Sequence, residues 1–88
     1  MDLPEFQRGL AARVRQLREE KALRQEDLED HGLHWKTVQK LEYGVTDPKA
    51  STLLKLCRAF NVGLIELLAP VVSGEMKRST APKRRKGR

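Results

Sequence analysis

The chain has 88 residues, with 18 Lys and Arg, 12 Asp and Glu, and a formal net charge of +6. This length accommodates one small domain, and no apolar stretch approaches the ~20 residues that span a bilayer. One cysteine and two histidines rule out an internal disulfide and supply too few ligands for an expected metal site. So small a core also offers no deep catalytic pocket. We therefore expect a cytoplasmic protein without a signal peptide, membrane span, cofactor or enzymatic activity.

The positive charge is concentrated at the C-terminal end. Seven of the basic residues and one of the acidic residues follow Ser73, so residues 1–73 carry eleven of each and are formally neutral. The stretch after Ser73 has almost no apolar side chains, which is typical of a disordered segment. We expect a folded domain over residues 1–73 and a disordered basic tail over residues 74–88.

Apolar residues recur at spacings of three and four in the first 70 residues, which predicts helices rather than strands. The first helix is expected over Pro4–Lys21, after a capping-box spacing of Asp2 and Glu5. A second, very short helix is expected over Gln25–His31, with Leu28 facing inward.

A turn at Gly32 precedes three further helices. The predicted ranges are His34–Tyr43, Ala50–Phe60 and Leu64–Ala69, and the last helix is expected to end at Pro70 because proline disrupts a helix interior. Two short helices joined by a glycine-containing turn follow the helix-turn-helix plan. The sequence thus predicts an all-α fold, a compact bundle of about five short helices.

Several separate segments resemble one known family. They are Leu17–Leu28, Gly32–Leu33, Thr37–Gly44, Pro48 and Leu53–Val62. Together they look like the Cro/C1-type (XRE-like) helix-turn-helix family, over about residues 10–68. The resemblance implies a lambda-repressor-like domain that binds double-stranded DNA and inserts the helix at about 34–43 into the major groove.

The resemblance also implies a structural ion pair. Family members pair an arginine near the end of the first helix with the glutamate that ends the recognition helix, and Arg18 and Glu42 occupy these positions. A bidentate pair would fix the recognition helix to the first helix. Gln25 stands where the family has a glutamine at the start of the second helix, from which its amide can bind a phosphate.

Candidate DNA contacts follow from the same resemblance. The first residues of the recognition helix face base edges in such domains, which implicates His34, Trp35 and Lys36, with Lys40 one turn later. Candidates for phosphate contacts at the two ends of the helix are Thr37, Tyr43, Thr46 and Lys49. Other roles remain open: Trp35 as a core or dimer residue, His34 as a helix cap, and the two lysines as ordinary surface residues.

The sequence departs from the family pattern in three ways. The segment Gln25–Gly32 is one residue shorter than the usual second helix and turn, which can rotate the recognition helix. Glu29 stands where a small residue is common. Four acids, Glu26, Asp27, Glu29 and Asp30, would repel phosphates if they faced DNA, although a charge run is usually a solvated surface.

The C-terminal third supplies two further sets of candidates. The apolar edge of the last helix is expected to form a homodimer contact, through Leu64, Ile65, Leu68, Val71 and Val72. The basic tail is expected to assist DNA binding without base selectivity, through phosphate contacts of Lys83, Arg84, Arg85 and Lys86. The alternatives for the tail are a solubilising end and a binding segment for another partner.

These features lead to one main functional hypothesis and one alternative. The main hypothesis is a sequence-specific DNA-binding transcriptional regulator, a repressor of a phage, plasmid or other mobile element, that acts without a small-molecule ligand. The alternative is a protein-binding adaptor on the same scaffold, an antirepressor or antitoxin partner. The four acids and an exposed Trp35 would support the adaptor.

Overall fold

A computed structural model describes residues 1–76, which form four α-helices and one 3₁₀ helix and contain no β-strand. The elements are α1 (Leu3–Glu20), the 3₁₀ helix (Gln25–His31), α2 (Trp35–Tyr43), α3 (Ala50–Phe60) and α4 (Leu64–Ser73). The all-α bundle of about five short helices is therefore confirmed. The predicted bounds hold for the second and fourth helices and shift by one residue in the first and third.

Local sequence signals begin α1 where they were expected. The Asp2 carboxylate accepts a hydrogen bond from the Glu5 backbone N–H at 2.9 Å, and the Glu5 carboxylate accepts one from the Asp2 N–H at 3.2 Å. This reciprocal capping box satisfies backbone N–H groups that have no partner inside the helix. Pro4 lies in the first turn, where its missing N–H is not needed.

The second helix has 3₁₀ rather than α geometry, and Leu28 is its buried residue. A 3₁₀ helix rises about 2.0 Å per residue against about 1.5 Å in an α-helix. Its seven residues therefore span roughly the length of nine α-helical residues. The helix ends at Gly32, whose φ of +83° is a left-handed conformation that a Cβ would strain.

The core is built around α1, which packs against both α2 and α4. Every helix contributes to it, and Phe60 of α3 is its largest fully buried side chain. The buried members are Leu10, Val14, Leu17, Leu28, Leu33, Val38, Leu41, Leu56, Phe60 and Leu67.

The expectation that the last helix ends at Pro70 is wrong, because α4 continues to Ser73 with Pro70 inside it. Proline has no N–H to donate to the carbonyl four residues earlier, here that of Glu66. Arg13 of α1 replaces this donor: its Nη2 lies 2.7 Å from the Glu66 carbonyl oxygen and its Nε lies 3.0 Å from that of Leu67. The guanidinium thus donates to the Glu66 carbonyl, which Pro70 leaves without its helical donor, and joins α1 to α4.

A second, small cluster closes the end of the domain. Val71 of α4 and Met76 are 2% and 3% exposed and pack with Ala12 and the half-buried Phe6 of α1. α1 and α4 approach closely here, since a Cβ at Gly9 would lie 2.9 Å from Cγ1 of Val71. Residues 74–76, assigned from sequence to the tail, therefore include a packed side chain, and the rest of the predicted tail lies outside the described residues.

Candidate nucleic-acid interface

An ion pair attaches the C-terminal end of α2 to α1. Nε and Nη2 of Arg18 lie 2.7 Å and 3.1 Å from the two carboxylate oxygens of Glu42, which is the bidentate pair that the resemblance implied. Glu42 is 7% exposed, so its charge depends on these partners. The hydrogen bond to Glu42 also raises the pKa of the Arg18 guanidinium.

Two further side chains complete this attachment. Nη2 of Arg15 lies 2.7 Å from the backbone carbonyl oxygen of Glu42, and Nε2 of Gln25 lies 3.3 Å from its carboxylate. Gln25, which is predicted to contact a phosphate, is half-buried and directs its amide nitrogen to Glu42. Sequence reasoning missed Arg15, although its position three residues before Arg18 on one helix places both on neighbouring parts of the surface.

A tight turn ends α2 directly after this pair. Gly44 has φ +77°, and a Cβ there would lie 3.5 Å from the Gln7 carbonyl oxygen and 3.6 Å from Cβ of Ala11. Glycine adopts this left-handed conformation without the strain that a side chain would cause, and the turn packs beside α1. The C-terminal end of α2 is thereby fixed by its backbone as well as by Glu42.

The N-terminal turn of α2 gathers three of the predicted base contacts. His34 is the N-cap: its Nδ1 accepts a hydrogen bond from the Lys36 backbone N–H at 3.1 Å. The Trp35 ring stacks against His34 at a centroid distance of 5.8 Å, and Nζ of Lys36 lies 5.7 Å from its centroid. Trp35 is half-buried among these neighbours and is not a core residue.

A carboxylate lies at the same end of α2. Oε2 of Glu29, in the last turn of the 3₁₀ helix, is 3.4 Å from the backbone nitrogen of Trp35. Sequence reasoning treated Glu29 as a departure from the family pattern and as a member of a run of acids, because nothing in the local pattern connects residues that are six positions apart across a turn. Of the other acids in that run, Asp27 accepts hydrogen bonds from Arg24, mainly from its backbone N–H, which lowers the pKa of Asp27.

The remaining predicted DNA contacts lie along or just after α2. Lys36, Lys40, Tyr43 and Lys49 are exposed, and Thr37 and Thr46 are half-buried. Lys36 and Lys40 are one helical turn apart and so share a face of α2. The four basic residues predicted in the tail, Lys83, Arg84, Arg85 and Lys86, lie outside the described residues.

The predicted dimer contacts on α4 divide into two groups. Leu64, Ile65 and Val72 are exposed, with Ile65 at 84%, whereas Leu68 is half-buried against the core. Val71 is buried within the domain, so its assignment as a dimer contact is wrong. The reason is that α4 extends past Pro70 and brings Val71 against Gly9 and Ala12 of α1.

The described part of the chain gives little support for other kinds of site, such as a metal site or a membrane-spanning helix. Residues 1–76 contain no group of three or more His, Cys, Asp or Glu side chains that could hold a metal ion. No single helix among them is long and apolar enough to cross a membrane; α3 and α4 reach that length only together, across a 107° bend. Cys57 of α3 is half-buried, and its burial raises the pKa of the thiol.

Comparison with known proteins gives one family match. A family model described as helix-turn-helix matches residues 14–67, which is more than half of the chain and includes the 3₁₀ helix, α2 and the Arg18–Glu42 pair. Neither a curated protein nor a solved structure matches the chain.

Proposed function

Because the chain belongs to the Cro/C1-type helix-turn-helix family of DNA-binding regulators, we propose that it is a sequence-specific transcriptional repressor that inserts α2 into the major groove. The observation that carries this proposal is the asymmetry of α2. Its C-terminal end is bound to α1 through Glu42 and Gly44, while Lys36 and Lys40 are exposed on one face. A helix held in this way can present the same side chains to each site that it meets.

Two kinds of contact contribute to DNA binding, contacts to base edges and contacts to phosphates. Lysine ammonium groups donate to O6 and N7 of guanine, and with Nδ1 of His34 accepting, its Nε2–H is free to donate to a base acceptor. Thr37, Tyr43, Thr46, Lys49 and Gln25 contact phosphates and set the position of α2; Gln25 does so with the second N–H of its amide, since the first donates to Glu42. Such phosphate contacts add affinity but carry no base information.

The basic residues that follow Met76 add affinity for DNA of any sequence. Residues 77–88 contain seven Lys and Arg and no acid. Cations that neutralise phosphates release counterions, with a slope of log affinity on log salt of about −0.9 per contact. The protein acts in the cytoplasm, on the nucleoid when bound, as a homodimer that occupies a two-fold operator. It has no catalytic role.

The division of roles is tested with two variants of the full chain. Lys36→Ala with Lys40→Ala removes base contacts, so the ratio of operator to random-sequence affinity should fall about tenfold or more. Deletion of residues 77–88 keeps the buried Met76, and it should weaken binding to every sequence and reduce the salt slope. Both are measured by fluorescence anisotropy on a site selected from a random duplex library.

The contrary result is also specific. If the lysine pair leaves the affinity ratio unchanged while the deletion abolishes it, the assignment of base contacts to α2 is wrong. If the wild-type protein selects no common sequence and binds only through residues 77–88, the repressor proposal fails and the adaptor hypothesis gains support.

A further inference from the structure

The 3₁₀ helix brings a carboxylate to the end of α2 that the proposed function directs at DNA. The chain turns at Gly32, in a left-handed conformation, between the 3₁₀ helix and α2. The first turn of α2 therefore lies beside the exposed Glu29, whose Oε2 is 3.4 Å from the Trp35 nitrogen. Carboxylates and phosphates repel each other, so a carboxylate at this position weakens binding to DNA in general. It favours binding only where a base offers it a hydrogen-bond donor.

We propose that Glu29 is a specificity-determining residue that accepts a hydrogen bond from the N4 amino group of a cytosine; this inference rests on the proposed function. In the major groove, guanine presents two acceptors and thymine presents an acceptor and a methyl group. Adenine presents an amino group beside the acceptor N7. Cytosine presents its amino group as a donor without an adjacent acceptor. Guanine and thymine therefore repel a carboxylate, and cytosine is favoured over adenine because adenine places the acceptor N7 beside its amino group.

The hydrogen-bonding capacity of Glu29 permits this role. Within residues 1–76, the carboxylate accepts one hydrogen bond, from the Trp35 N–H to Oε2. Oε1 retains both of its lone pairs, and a carboxylate accepts about four hydrogen bonds in all. The second oxygen can thus accept from a base while the first stays attached to α2.

The neighbours of Glu29 order the backbone beside it. The cap of His34 on the Lys36 N–H and the stacking of His34 on Trp35 order the backbone to which Glu29 binds. An ordered group loses less conformational entropy when it binds.

The test compares the sites selected from a random duplex library by the full-length wild type, Glu29→Ala, Glu29→Gln and Asp30→Asn. The wild type should select cytosine at one position and bind it at least about fivefold more tightly than the other bases. Glu29→Ala should reduce that preference to less than about twofold at this position alone. Glu29→Gln should change the selected base to adenine, because a glutamine amide pairs with N6 and N7 of adenine.

Asp30→Asn is the matched control, since Asp30 is an exposed neighbour and the change removes the same charge. It should raise affinity for all sequences and leave the selected site unchanged. If Glu29→Ala and Glu29→Gln both select the wild-type site, Glu29 is a helix cap and the inference is overturned while the proposed function stands. If the wild type selects no site, both are overturned. A variant that fails to fold would lose affinity for every sequence, and thermal unfolding followed by circular dichroism identifies it.

Discussion

Glu42 accepts hydrogen bonds from Arg18 and Gln25 on its carboxylate and from Arg15 on its backbone carbonyl. It is almost wholly buried, so removal of its charge leaves Arg18 without a counter-ion in a poorly solvated position. Breaking a buried ion pair by removing one partner commonly costs 3–5 kcal/mol. We expect Glu42→Ala to lower the free energy of unfolding by about 3 kcal/mol, measured by urea denaturation at pH 7.

Two further variants are compared with Glu42→Ala. Arg18→Lys keeps the charge but loses the planar fork that binds both oxygens, and we expect a smaller loss of about 1 kcal/mol. Glu20→Gln changes an exposed acid at the end of α1 and should stay within about 0.5 kcal/mol of the wild type. A cost of Glu42→Ala no larger than that of Glu20→Gln would show that the pair does not hold α2.

The residues of the candidate interface differ in how far sequence could predict them. The Arg18–Glu42 pair followed from the family resemblance, because both residues stand at its motif positions. The cap at His34 was left open by sequence, and the contact of Glu29 with Trp35 was not foreseen. The His34 cap joins residues only two positions apart, whereas the contact of Glu29 with Trp35 crosses the turn at Gly32 and depends on how the packing of Leu28 and Leu33 into the core places α2 against the 3₁₀ helix.

At the scale of an element, α4 depends on a hydrogen-bond donor from α1. Arg13 donates to the carbonyls of Glu66 and Leu67, and Pro70 removes the N–H that would otherwise bind Glu66. Hydrogen bonds that involve a charged group contribute about 1.5–3 kcal/mol each. We expect Arg13→Ala to lower the free energy of unfolding by about 2 kcal/mol.

The role of Pro70 is tested by a double-mutant cycle. Pro70→Ala restores the N–H, so Arg13→Ala should cost about 1 kcal/mol less in this background than in the wild type. The measurement is urea unfolding of the wild type, both single variants and the double variant. Strictly additive costs would contradict the replacement of the missing donor by Arg13.

Element boundaries were predictable where a local signal sets them. The capping box of Asp2 and Glu5 begins α1, and the glycines at 32 and 44 end the two helices of the motif, because each signal acts over a few residues. The end of α4 was not predictable, since the donor that compensates for Pro70 is Arg13, which lies 53 positions before the Glu66 carbonyl that it binds.

At the scale of the whole molecule, the exposed apolar side chains of α4 support the proposed dimer. Leu64 and Ile65 lie in the first turn of α4 and Val72 lies about two turns later, and they give a 10.1 kDa chain an apolar surface that a second copy can cover. Ile65 is 84% exposed, so Ile65→Asp should leave the monomer folded. In a dimer the new carboxylate would lose its contact with water, which disfavours association. We expect sedimentation equilibrium to give twice the monomer mass for the wild type and the monomer mass for Ile65→Asp.

Val45→Asp is the control for this prediction. It introduces the same charge at another exposed apolar residue, in the loop after α2, and should leave the dimer unchanged. A wild-type protein that sediments as a monomer at the highest soluble concentration would contradict the dimer. Equal dissociation by both variants would place the contact elsewhere.

The sequence by itself determined the helices, the turns between them, and the concentration of positive charge after Ser73. These properties depend on periodicity, capping and composition, which act over short distances along the chain. Only the tertiary structure decided that Val71 is buried, that α4 passes through Pro70, and that Glu29 stands at the first turn of α2. Each of these depends on groups far apart in sequence that packing brings together. The net charge of +6 therefore describes one end of the chain, while the arrangement of Lys36, Lys40 and Glu29 around α2 belongs to the fold.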